Sequence, residues 1–122
     1  MPDIRFRSVV LDAPDVAELA AFYRRLLGWS ATSEEADWAR LEPEAGRTGL
    51  AIQLEPNFVR PTWPSDSTHQ QMQLHLDLQV EDLNAASKHA AEAGATLAGF
   101  QPQDDVRVFL DPAGHPFCLF EQ

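Results

Sequence analysis

The chain has 122 residues, 44% of them hydrophobic and 23% charged, which fits a soluble globular chain of one domain and excludes disordered, collagenous and membrane-spanning classes. Nine basic residues against nineteen acidic ones give a formal charge of −10. Such a surface repels phosphate, so neither nucleic acid nor an anionic membrane is an expected partner, whereas a cationic small molecule would be attracted. The opening Met1-Pro2-Asp3-Ile4-Arg5 lacks an apolar export segment, and the lone Cys118 excludes an intrachain disulfide; a cytoplasmic location is therefore expected.

In chain order, residues 4–12 read as a period-two strand. Asp15 follows as a helix N-cap with Glu18 as its capping-box partner, and Leu19, Phe22, Tyr23, Leu26 and Leu27 form one apolar stripe that stops at Gly28. Trp38 to Leu41 and Leu50 to Leu54 read as short strands around a Glu42–Gly49 turn. Residues 56–72, with Pro56, Pro61 and Pro64 but also Phe58 and Trp63, read as a connector whose aromatics pack rather than hang in solvent. A second strand, 73–80, leads to Asp82 and a helix presenting Leu83, Ala86, Ala90 and Ala93 before Gly94. Val106 to Leu110 and Phe117 to Glu121 then flank the turn Asp111-Pro112-Ala113-Gly114-His115-Pro116.

The halves repeat. Moving the first by 67 positions sets Ser8 on His75 and Asp15 on Asp82, with the glycine stops one residue out of step. The resulting organisation is one domain over 1–122, with module one at 1–55, a connector at 56–72 and module two at 73–122. On strand 73–80, Leu74, Leu76, Leu78 and Val80 form the row for a helix, while Gln73, His75, Asp77 and Gln79 form a polar row. Amide, imidazole and carboxylate are costly against a dry core, so that row is expected to face a wet cavity.

In this order and duplication, Val9-Val10-Leu11-Asp12-Ala13-Pro14-Asp15, Phe22-Tyr23, Leu27-Gly28, the run from His75 to Asp82 and the closing run from Asp111 to Phe117 carry a resemblance to the vicinal oxygen chelate superfamily, the glyoxalase, bleomycin-resistance and extradiol-dioxygenase group. The resemblance implies an α+β fold of two βαβββ modules whose curved sheets enclose a cavity. It also implies a homodimer and, in metal-using members, a divalent ion held by His and Glu. Of those ligands only His75 is matched: Ser8 stands where the first-strand histidine would be, and Cys118 stands where the last-strand glutamate would be, with Glu121 on the opposite strand face.

No cofactor is therefore expected, and a zinc site from His75, Cys118 and Asp77 is the alternative because thiolate and imidazole suit that ion. The ligand-binding candidates are Ser8, Gln73, His75, Asp77, Cys118, Trp38 and Trp63, with Asp12 and Arg40 as further cavity residues and His75 as the best catalytic candidate. Beside each stands a plainer reading: His75 as a cavity histidine bonded to Asp77 or Gln73, Cys118 as a small buried residue, and the tryptophans as core or dimer interface. His115 is assigned to the turn, His89 to the exposed side of the helix and His69 to the connector. The expected function is binding of a small molecule of unknown identity, with antibiotic sequestration as one form. Its rivals are a metal-dependent lyase or dioxygenase, a metal-free isomerase with His75 as base, and a purely interacting subunit.

Overall fold

The structure, a computed structural model, describes residues 1–121. It divides into two compact units, Met1–Phe58 and Val59 to the C-terminus, each carrying one helix and one four-stranded mixed sheet. The fold is α+β, and each unit runs strand, helix, then three strands. Among the described residues no helix is long and apolar enough to cross a membrane.

The first unit contains β1 (Ser8–Ala13), α1 (Val16–Leu27), β2 (Ser30–Glu34), β3 (Trp38–Glu42) and β4 (Gly49–Leu54), in the sheet order β1-β4-β3-β2. Strands β1 and β4 run parallel, and the remaining pairs are antiparallel. The Asp15 carboxylate accepts from the Glu18 N–H at 3.0 Å, and Gly28 closes α1 in the left-handed region at φ 71°. Between these caps the stripe of Leu19, Ala20, Phe22 and Tyr23 is buried with Leu11, Ala13, Ala39, Leu41, Leu50 and Ile52 of the sheet. Alternation along the strands puts Ser8 and Asp12 on the other sheet face.

The second unit repeats this plan with β5 (Leu76–Val80), α2 (Leu83–Ala93), β6 (Thr96–Leu97), β7 (Val106–Leu110) and β8 (Pro116–Glu121), in the order β5-β8-β7-β6. Asp82 caps α2 by accepting from Ala85 N–H at 3.0 Å. The Glu121 carboxylate, at the end of β8, accepts from Leu83 N–H at 2.8 Å and so serves the same helix start. This places Glu121 on the helix side of its strand, opposite Cys118, as the alternation requires.

Four expectations need correction. The first strand starts at Ser8 rather than residue 4; ahead of it, Thr48 Oγ1 and Gly49 N–H hold the carbonyls of Phe6 and Arg7 outside the regular ladder. The strand expected from residue 73 starts at Leu76, because Gln73 takes φ 66° and the Leu74 N–H turns back to the Met72 carbonyl. Leu74 is consequently half-exposed rather than part of the apolar row. Glu42, assigned to a turn, is instead the buried last residue of β3.

Candidate functional site

The sequence candidates fall into two groups, one in each unit. In the first unit, Arg40 Nη1 donates to Ser8 Oγ at 3.4 Å, and its guanidinium lies 5.5 Å from the Trp38 ring centroid, within cation–π range. Beside them, Gln53 Nε2 donates to Asp12 Oδ1 at 3.2 Å. Parallel pairing explains this contact, since Asp12 and Gln53 are register partners on β1 and β4.

In the second unit the structure brings His75, Asp77, Cys118 and Trp63 together around a cavity of about 350 Å³. Asp77 on β5 is the register partner of Cys118 on β8, and His75, just ahead of β5, is brought beside them by its contact with Asp77. His75 Nε2 lies 3.1 Å from Asp77 Oδ1. The Trp63 indole stacks on the His75 ring at 4.9 Å between centroids and 20° between planes, and meets Phe100 edge-on at 5.3 Å. Val106, Val108 and Phe120 complete the apolar wall.

The charges of the cavity are one-sided. Asp77 and Asp105 line it, with no lysine or arginine among its described lining residues; Glu121 borders it too, but its carboxylate is turned to the Leu83 N–H. Cys118 is 5% exposed, and burial first, then the Asp77 charge and hydrogen bond, push its thiol up to about 11. The group is a neutral S–H at physiological pH and no nucleophile. Imidazole, carboxylate and sulfur atoms all lie within 4.8 Å of one another, making His75, Asp77 and Cys118 the residues able to hold a cation.

Other candidates lie elsewhere. Gln73 is exposed on its left-handed bend ahead of β5 and does not line the cavity; Gln79, within β5, is not among the lining residues either. Ser8 and Trp38 belong to the first-unit group. His115 serves the turn: Asp111 N–H donates to its carbonyl, while Asp111 Oδ1 accepts from the N–H groups of Ala113 and His115. His89 is exposed on α2, and His69 pairs with Asp66 at 2.9 Å in the connector.

Sequence reasoning missed Asp105, Val106, Val108 and Phe120. The last three carried a usable signal, because their period-two spacing on β7 and β8 matches that of Cys118. Asp105 precedes its strand and carried none.

A family model described as a glyoxalase-like domain matches residues 8–120. The anthracycline biosynthesis protein DnrV of Streptomyces peucetius is 28% identical over 124 residues, covering 92% of this chain and 45% of that protein, so the chain spans about half its length. TnmS3, an antibiotic binding protein from Streptomyces sp. CB03234, superposes with a TM-score of 0.61 at 19% identity, covering 99% of this chain and 98% of that one. A mutant of the genomically encoded fosfomycin resistance protein FosX of Listeria monocytogenes, complexed with Mn(II) and 1S,2S-dihydroxypropylphosphonic acid, gives a TM-score of 0.70 at 14% identity, covering 98% and 90%.

Proposed function

From the premise that this chain belongs to the glyoxalase-like domain family of the vicinal oxygen chelate superfamily, we propose that it is a small-molecule-binding protein that sequesters an antibiotic-like ligand carrying a planar ring and a positive charge. The observation that carries this reading is the second-unit cavity, where an indole face and Phe120 stand beside the carboxylates of Asp77 and Asp105 without a basic residue. A flat cation gains twice there. Stacking on Trp63 contributes about 0.5–1.5 kcal/mol beyond area burial, and a cation over its ring about 0.5–2 kcal/mol. Two relatives fit the same class: DnrV is described by anthracycline biosynthesis and TnmS3 by antibiotic binding. The superfamily's histidine-and-glutamate metal centre is degraded in this reading, with Ser8 and Cys118 in place of two ligands. The protein works as a cytoplasmic homodimer.

A second reading draws on the contact between His75 Nε2 and Asp77. A carboxylate so placed orients the ring, which suits a metal-free isomerase with His75 as base.

The experiment is a thermal-shift screen of planar aromatic cations against the chelator-treated chain. Ligand at a hundredfold its Kd stabilises the folded state by about 2.7 kcal/mol, a clear rise in Tm. Hits are repeated with His75→Ala, Trp63→Ala, Cys118→Ser and His89→Ala. Loss of the shift in the first two, with His89→Ala unaffected, is the expected pattern. Equal binding by wild type and His75→Ala at every pH removes His75 from the site. Turnover of a bound hit that disappears in His75→Ala selects the isomerase reading.

A further inference from the structure

We propose that His75, Asp77 and Cys118 form a three-ligand site for a thiophilic divalent cation of the zinc type, built within the second unit alone. The placement is fixed by the backbone. His75, just ahead of β5, lies 3.1 Å from Asp77, and Cys118 faces Asp77 across a parallel pair. Their ligand atoms lie within 4.8 Å of one another. Zinc bonds of about 2.0–2.3 Å place tetrahedral ligands about 3.5 Å apart, so small side-chain rotations close the set.

The donor chemistry decides the class of ion. Manganese, the ion complexed with the Listeria FosX, prefers carboxylate, carbonyl and water oxygens. This set offers one carboxylate, one imidazole and one sulfur, a combination that suits zinc and cobalt and serves manganese poorly. The residues therefore do not fit the oxygen-rich centre, and fit a softer one.

Without a cation, Cys118 keeps its thiol proton beside its register partner Asp77. Binding exchanges that proton for the ion: the S–H bond breaks, a sulfur–metal bond forms, and the proton leaves to solvent. Three protein ligands leave the fourth position toward the cavity, the open arrangement that characterises catalytic rather than structural zinc. Trp63, flat against His75, restricts the ring to one plane and so orients the nitrogen donor.

The test titrates chelator-treated, full-length chain with cobalt(II) and follows the visible and near-ultraviolet spectrum. A stoichiometric thiolate-to-cobalt charge-transfer band with d–d bands of tetrahedral intensity is expected. Zinc should bleach them and manganese in large excess should not. Cys118→Ser should remove the charge-transfer band, and His75→Ala and Asp77→Asn should each abolish stoichiometric saturation, with circular dichroism showing all variants folded. His69→Ala should titrate as the wild type does. Absence of the band in folded wild type overturns the proposal, and so does a band unchanged in His75→Ala or displaced by manganese. The result is separate from ligand binding, since the thermal-shift screen uses the chain freed of metal.

Discussion

Glu42 is 2% exposed yet ionised, because three donors converge on it. Arg7 Nη2 lies 3.1 Å from Oε1, Thr32 Oγ1 donates to the same oxygen at 2.5 Å, and Gly46 N–H donates to Oε2 at 2.6 Å. The hydrogen bonds from Arg7 and then Thr32 hold the carboxyl down at about 2, against an ordinary 4.5. A depressed carboxylate contributes stability that is fully present above the unfolded value and lost as pH falls through the folded one. Wild type should therefore lose this contribution between about pH 4.5 and pH 2. Glu42→Gln should be less stable at pH 7 and show a flatter profile through that window, read from urea midpoints at a series of pH values. Parallel profiles for the two proteins would remove Glu42 from the acid response. The sequence hides this residue for a physical reason: a glutamate after an apolar run resembles the start of a solvated turn, and Arg7 and Thr32 lie 35 and 10 positions away. His75 was legible because its whole face alternated polar and apolar, and Asp77 with it. Gln73 was misplaced by the same rule, since alternation continues on paper through a bend that the backbone makes at φ 66°.

Both helices were legible to within a residue because each carries its own start and stop, Asp15 with Gly28 and Asp82 with Gly94. Unlike β1 and β5, which are equally terminal in their sheets, strands β2 and β6 escaped notice. Their residues, Ser30–Glu34 and Thr96–Leu97, carry no continuous apolar row to betray them. The connector owes its order to a contact that no periodicity encodes. Arg60 Nη1 donates to the Pro112 carbonyl at 3.0 Å, and its guanidinium lies so close over Gly114 that an added Cβ there would sit 2.8 Å from Cζ. The Thr62 N–H also donates to the Gln70 carbonyl at 2.7 Å, and Trp63 follows directly onto His75. Arg60 is thus a positioning residue for the aromatic wall. Arg60→Ala should cost about 1 kcal/mol, the scale of a partly solvated charged hydrogen bond. More specifically, with Trp29 and Trp38 replaced by Phe, it should red-shift the Trp63 emission and make it more accessible to a quencher. A pure loss of stability with unchanged emission in the native baseline would leave Arg60 a merely structural residue. Gly114→Ala should cost more than Arg60→Ala, because it meets the guanidinium at φ 92°, a conformation that side chains rarely adopt.

The large apolar side chains left exposed bear on the state of the whole protein. Ile4 and Phe6 are 82% and 70% exposed on the run ahead of β1, and Val10, Leu54, Val59, Leu74 and Leu97 are also uncovered. Single exposed apolar residues are ordinary, but Ile4 and Phe6 lie two residues apart on the run leading into β1, an edge strand. From the sequence this run looked like strand and its exposure was invisible, because alternation gives the face of a residue but not whether anything covers it. We expect two chains to pair with this segment in the interface. A charge of −10 on each chain opposes pairing, so the balance is sensitive to ionic strength. Sedimentation equilibrium over the micromolar range should return twice the chain mass, and the dimer should dissociate at a higher protein concentration in low salt than at 0.5 M, where the screening length is roughly 4 Å. Phe6→Asp, which adds a charge and removes a ring without touching the packed core, should weaken pairing about tenfold or more while leaving Tm of the isolated chain nearly unchanged. A one-chain mass at every concentration and salt would sink the dimer. A dimer indifferent to Phe6→Asp would move the interface away from the N-terminal run and toward another of the uncovered apolar residues.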